Sequence, residues 1–208
     1  DITPTAWIDS PRIAQLMKTH RDEIEESVSD RVFSALGTGF HNIMENAVGD
    51  NAITEERIFW DHPSGLRTSG AIDLVIYKKD GTVIIVDYKV TGVYGIIFNK
   101  KNSGIKDEWA KQTNSYRLMF EEAKGIKVSE LYILVILRDW KASEVGKPDY
   151  PHAPIMQLPV PLWPKEEAIA YVIRDKQKNT NFTKGERALA AFTSVYFVDD
   201  VQKLEKKD

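Results

Sequence analysis

Ser69-Gly70-Ala71-Ile72-Asp73-Leu74-Val75-Ile76-Tyr77-Lys78-Lys79-Asp80-Gly81-Thr82-Val83-Ile84-Ile85-Val86-Asp87-Tyr88-Lys89-Val90 is the stretch on which the fold turns. Two apolar runs rich in β-branched residues flank Asp80-Gly81, the pattern of two antiparallel strands joined by a tight turn. Asp73 interrupts the first run and Asp87 the second. Lys89 follows Asp87 by two residues, so both leave the same face of their strand. Charges in strands this apolar are costly to bury unless paired or bound to a cation, and the pattern therefore points to a metal site. Loop length sets the register. A two-residue Asp80-Gly81 loop would set Asp73 opposite Tyr88, facing away from Asp87. A three-residue Lys79-Asp80-Gly81 loop pairs Lys78 with Thr82 and sets Asp73 opposite Asp87. The odd loop is the prediction. Opposed Cβ atoms would then lie about 4.5–5.5 Å apart, near enough for two carboxylates to share one divalent ion.

Working outward, Ile53–Trp60 reads as a strand containing Glu56, and His62-Pro63-Ser64-Gly65 as a turn. Upstream, Arg31–Val48 reads as a helix weakened or restarted near Gly37 and Gly39, ending at Gly49-Asp50-Asn51. His41 and Glu45 share a face of it. Further upstream, Asp1–Ser10 is an extended lead-in. Ser10-Pro11 starts a short helix, and Arg21–Asp30 is a charged helical face or loop. Downstream, Thr91–Lys106 is a connection with Lys100, Lys101 and Lys106 close together. Asp107–Lys124 is an amphipathic helix with acids in its first turn. Leu131–Leu137 is continuously apolar and is expected to be a fully buried strand. Lys141–Pro154 is a loop. Ile155–Leu162 holds two prolines and is at most an edge strand. Pro164–Lys176 is a helix, Ala188–Val198 is apolar and helical in pattern, and Gln202–Asp208 is a charged tail.

The 208 residues allow one α/β domain with a substantial core. The expectation is a single domain over residues 1–208, with a motif core at about 31–138 and an edge strand with helices at 153–200. A net charge of −3 excludes a globally basic nucleic-acid binder but not a local basic groove. The absence of cysteine excludes disulfides, cysteine-bound zinc and a cysteine-ligated iron–sulfur cluster. The sequence shows neither a signal peptide nor an apolar run long enough for a bilayer.

Gly37-Thr38-Gly39-Phe40-His41-Asn42-Ile43-Met44-Glu45 precedes Gly70-Ala71-Ile72-Asp73, then come Asp87-Tyr88-Lys89 and Gln112-Thr113-Asn114-Ser115-Tyr116. In this order the chain resembles the PD-(D/E)XK nuclease superfamily, specifically its RecB-type exonuclease branch, over roughly Leu36 to Phe120. Asp-x-Lys alone carries almost no signal; four motifs in the family's order, each on its expected element, carry much more. The resemblance implies a restriction-endonuclease-like α/β core, a central mixed β-sheet with helices on both sides. It implies a metal-dependent deoxyribonuclease, an exonuclease of DNA recombination, repair or phage DNA processing. The catalytic residues would be Asp73, Asp87 and Lys89. His41, Asp73, Asp87 and the main-chain carbonyl of Tyr88 would hold Mg²⁺ or Mn²⁺. Gln112, Tyr116, Glu45, Glu56, Lys100 and Lys101 would bind substrate or support the site. DNA would be the partner, together with a recombination or replication protein. No membrane would be involved, and the location would be cytoplasmic, in a bacterium or in the host of a phage. The iron–sulfur cluster of many such nucleases cannot form here.

Each assignment has a plainer alternative. A lone histidine on an apolar helix is more often a core residue than a ligand, and His41 stands out only beside the other motifs. Glu45 is as readily a structural partner of Gln112 or Lys89, and Glu56 as readily a solvent-facing strand acid. Lys89 would pair with Asp87 in either reading. Two other functions stay open at this point: a catalytically inactive nucleic-acid-binding module of the same fold, and a metal-dependent phosphoesterase on small substrates.

Overall fold

The computed structural model describes residues 16, 19–23, 27–62 and 66–172. The expectations for the lead-in, the Ser10-Pro11 helix, the tip of the turn after His62, the end of the helix from Pro164, Ala188–Val198 and the tail lie outside the described residues.

The Lys79-Asp80-Gly81 loop forms as predicted. Lys78 N–H donates to the Thr82 carbonyl at 2.9 Å, and Gly81 N–H donates to Lys78 at 3.1 Å. Gly81 takes a φ of +82°, which a residue without Cβ adopts at no steric cost. The Asp80 carboxylate accepts from the Thr82 N–H and hydroxyl at 2.9 and 2.7 Å, so the turn holds itself. This loop joins β2 (Leu66–Tyr77) to β3 (Val83–Thr91), and β1 (Ala52–His62) pairs antiparallel with β2 on the other side. Strand β4 (Val128–Leu137) runs parallel to β3, and β5 (Ile155–Val160) closes the sheet antiparallel to β4. The spatial order of the five strands is β1-β2-β3-β4-β5. The edge position of β5 is where Pro159 does least harm to a ladder.

Each face of the sheet has its own cover. Helix α1 (Val28–Glu45) lies over Leu74, Val86 and Tyr88. It runs unbroken through Gly37 and Gly39, so the expected restart does not occur. The crossover from β3 to β4 carries a short helix, α2 (Val93–Ile97), and then α3 (Asp107–Lys124). Helix α3 packs Trp109, Leu118, Met119 and Phe120 into the larger core with Ile72, Val75, Ile85, Ile133 and Val135. Gly125 ends α3 in the left-handed region, its N–H donating back to Glu121.

Strand β4 corrects one expectation. Leu131, Ile133, Val135 and Leu137 are buried, whereas Tyr132, Leu134 and Ile136 between them are only half-buried. The strand is apolar throughout, but α1 is centred on β3 and covers the other face of β4 incompletely.

Helix α3 is itself clasped from outside. Asn114, fully buried, donates to the carbonyls of Ala110 and Pro161 and accepts from Trp163 N–H at 2.9 Å. These bonds tie the chain after β5 across α3, ahead of helix α4 (165–172), whose Ala168 and Val172 join the core. Truncating Asn114 would leave the Pro161 carbonyl and the Trp163 N–H without partners. Asn114→Ala should therefore lower unfolding free energy by about 1–3 kcal/mol in urea titrations. A loss below about 0.5 kcal/mol would show that the clasp does not hold this layer.

Candidate metal and nuclease site

The two ladders of the central strands fail at one level. Between β1 and β2, Thr54 pairs with Leu74 and Glu56 with Ile72, which sets Glu55 across from Asp73 with no ladder pair between them. Between β2 and β3 the pairing stops at Leu74 and Val86, one step short of Asp73 and Asp87. Glu55, Asp73 and Asp87 thus occupy one row across three strands. Asp73 fills the gap in the second ladder with its side chain: its Oδ2 accepts the Tyr88 N–H at 2.7 Å. Glu55 is held at a φ of +50°. For a residue with a Cβ this backbone costs on the order of 1–2 kcal/mol, so the surrounding structure must enforce it.

His41 reaches the row from α1. Its Nδ1 lies 3.3 Å from Glu55 Oε1 and 3.6 Å from Asp73 Oδ1. Tyr88 positions the helix that carries it. The Tyr88 ring meets Phe40 edge-on at 5.6 Å and His41 at 5.4 Å between centroids. The Tyr88 side chain is buried and its hydroxyl has no hydrogen-bond partner among the described residues. Burial, with the charges of Asp73 and Glu55 added, pushes this phenol up to about 12.

On the opposite side of the row, Asp87 is 2% exposed and pairs with Lys89 at 2.6 Å. Burial raises the Asp87 carboxyl above the usual range, and the Lys89 cation opposes the rise. Lys89 Nζ also donates to Gln112 Oε1 at 3.1 Å, and Gln112 Nε2 donates to the Tyr116 hydroxyl at 3.4 Å. A polar chain therefore runs Asp87–Lys89–Gln112–Tyr116 from β3 onto α3. Asp73 sits between the two groups. Burial and then the charge of Asp87 raise its carboxyl to about 7, against the pull of the Tyr88 N–H, His41 and Lys89.

The structure thus gathers His41, Asp73, Asp87, Lys89, Gln112 and Tyr116, with Tyr88 between them. Other candidates sit elsewhere. Glu56 forms an ion pair with Lys124 at 2.6 Å. Glu45 is exposed at the end of α1, and Lys89 and Gln112 have each other rather than Glu45. Lys100 pairs with Asp149, and Lys101 is exposed. Glu55 is the residue that strand alternation overlooked. Its neighbour Glu56 sits in the ladder with its side chain directed at α3, while the left-handed turn at Glu55 sends that carboxylate to His41.

The donors suit a divalent cation. The ligand atoms of His41, Glu55 and Asp73 all lie within 4.8 Å of one another. An imidazole nitrogen among carboxylate oxygens is a donor set of the kind that divalent cations take. An acid of raised pKa that is stabilised once ionised beside a cation is the electrostatic form such a site takes. Among the described residues no helix is long and apolar enough to cross a membrane.

No curated protein sequence matches the chain. Eighteen chains of solved structures do. One is titled "Crystal structure of SSO0001"; it is 14% identical, with a TM-score of 0.56, over 85% of this chain and 75% of that one. At that identity the likeness concerns the fold, the restriction-endonuclease-like α/β sheet with flanking helices. The profile of the PD-(D/E)XK nuclease superfamily matches residues 12–192, a span that includes every residue of the row and of the Lys89 chain. The protein belongs to the PD-(D/E)XK nuclease superfamily.

Proposed function

We propose that the protein is a metal-dependent DNA nuclease of the RecB type, an exonuclease serving DNA recombination, repair or phage DNA processing. The observation that carries the reading is the row of Glu55, Asp73 and Asp87, with His41 on one side and Lys89 on the other. His41, Glu55 and Asp73 would hold Mg²⁺ or Mn²⁺, with Asp87 and the Tyr88 carbonyl available to complete the shell. Bound there, the cation lowers the pKa of a water and offsets charge on the phosphate.

The remaining work belongs to the chain's own groups. Lys89, steered by Asp87 and Gln112, presents its ammonium to the attacking water and to the phosphate oxygen that gains charge. Gln112 and Tyr116 line the α3 side, where a strand would lie. None of these groups reads a base, so the chemistry is indifferent to sequence. Lys101, exposed in the crossover after β3, would contact a phosphate of the bound strand.

Linear duplex, single-stranded and closed-circular DNA, each with Mn²⁺, Mg²⁺ or EDTA, test the reading. Degradation of linear DNA with either metal, with circles left intact, is the expected result. Binding without cleavage would identify an inactive module, and cleavage of small phosphodiesters alone would identify the phosphoesterase. Lys89→Ala should bind Mn²⁺ as tightly as wild type in calorimetry, yet cleave about 10²–10³-fold more slowly in single turnover. A near-wild-type rate at saturating metal would remove Lys89 from the mechanism.

The raised Asp73 carboxyl gives a second test. Its folded pKa of about 7 exceeds the ordinary 3.8, so between those values the native state binds more protons than the unfolded chain. Stability from this group is full at low pH and falls as pH rises toward 7. Asp73→Asn keeps an acceptor for the Tyr88 N–H and loses the titration. In metal-free protein, the stability of Asp73→Asn relative to wild type should therefore increase steadily from about pH 4 to about pH 7. A difference that does not change with pH would show that Asp73 is not held in this environment.

A further inference from the structure

We propose that Tyr94 and Phe98 form a stacking platform for unpaired bases, so that DNA is engaged as a single strand beside the site. The inference rests on the nuclease reading and names the form of its substrate. Helix α2 is firmly seated: Val93 and Ile96 are buried, and Val93 N–H donates to Asp139 Oδ1 at 2.7 Å. Its other side is turned outward. Tyr94 is 67% exposed and Phe98 81% exposed. The two rings, one helical turn apart, lie 5.8 Å between centroids and are tilted by 32°. Flexibility does not account for this exposure, because the backbone that carries the rings is pinned by the core beneath it.

The surroundings favour nucleic acid over protein. Lys101 is exposed and has no acidic partner among the described residues. Lys100, paired with Asp149, is also exposed. Lys147, paired with Glu144, is near enough to Tyr94 for the two to interact electrostatically. Protein interfaces enrich aromatic residues but deplete lysine, whereas single-strand binders set aromatic rings among cations that follow the phosphates. Position agrees. Helix α2 begins four residues after Lys89, within about 14 Å of it along the chain. It stands at the carboxyl end of the parallel β3–β4 pair, the end at which open α/β sheets receive ligands. A paired base hides its faces in the duplex stack; an unpaired base offers one to a ring.

The test is fluorescence anisotropy with labelled oligothymidine and with a blunt duplex of equal length, in EDTA to prevent cleavage. The variants are the double substitution Tyr94→Ala with Phe98→Ala and the conservative pair Tyr94→Phe with Phe98→Trp. Both side chains are exposed, so thermal melting should be unchanged and reports the fold directly. The alanine pair should weaken single-strand binding about five- to a hundredfold per ring, leave duplex affinity nearly unchanged, and be rescued by the aromatic pair. Unchanged single-strand affinity, or an equal loss for both DNA forms, would overturn the proposal. So would a wild-type dimer that dissociates in the alanine pair while DNA affinity stays the same, which would mark a self-association surface. Wild-type protein that neither binds nor cuts any DNA would remove the nuclease reading and this inference together. Intact cleavage with single-strand affinity untouched by the alanine pair would remove this inference alone.

Discussion

Like charges in one row of a sheet repel, and the centre of this molecule is built around three of them. Glu55, Asp73 and Asp87 stand side by side on β1, β2 and β3, two of them largely withdrawn from water. Burial makes each ionised carboxylate more costly, and proximity makes it more costly again. The fold answers with polar partners from two directions. Lys89 meets Asp87 from within β3, and His41 meets Glu55 and Asp73 from α1. Asp73, between the two, keeps a raised pKa despite both. That residual strain is what a divalent ion would relieve, and it links the stability of the sheet to the chemistry proposed for it.

Several other features exist to place these groups. Tyr88 gives its N–H to Asp73 and its ring to Phe40 and His41, so a single residue joins the splayed ladder to α1. Gln112 joins α3 to Lys89. Asn114, two residues along the same helix, fixes the outer layer that keeps α3 against the sheet. Glu55 adopts a backbone conformation unfavourable for its type, and the ladder pairs at Thr54 and Glu56 on either side hold it there.

The hairpin was legible because loop length and period-two alternation leave few choices. Asp80-Gly81 marks the turn, and only an odd loop sets two aspartates face to face. The same regularity misled the reading of β1. Alternation cannot reveal a left-handed residue: Glu56 was named and Glu55 went unremarked, and the structure pairs Glu56 with Lys124. The half-exposure of Tyr132, Leu134 and Ile136 was hidden for a different reason: a continuous apolar run records hydrophobicity, not the position of the helix that covers it. The roles of the Tyr88 ring and the Asn114 clasp depend on contacts between distant segments, which no local pattern encodes. The motifs at His41, Asp73, Asp87, Lys89 and Gln112 were visible because each falls on an element whose type the sequence declares.

The central claim is that the row and His41 form one cation site. Anomalous diffraction at the manganese edge, on crystals soaked in Mn²⁺, addresses it most directly. The account predicts a peak enclosed by His41 Nδ1, a Glu55 oxygen and Asp73 Oδ1, about 2.0–2.3 Å from each. No peak there at saturating Mn²⁺, or a peak ligated by Glu56 or by surface acids instead, would contradict it.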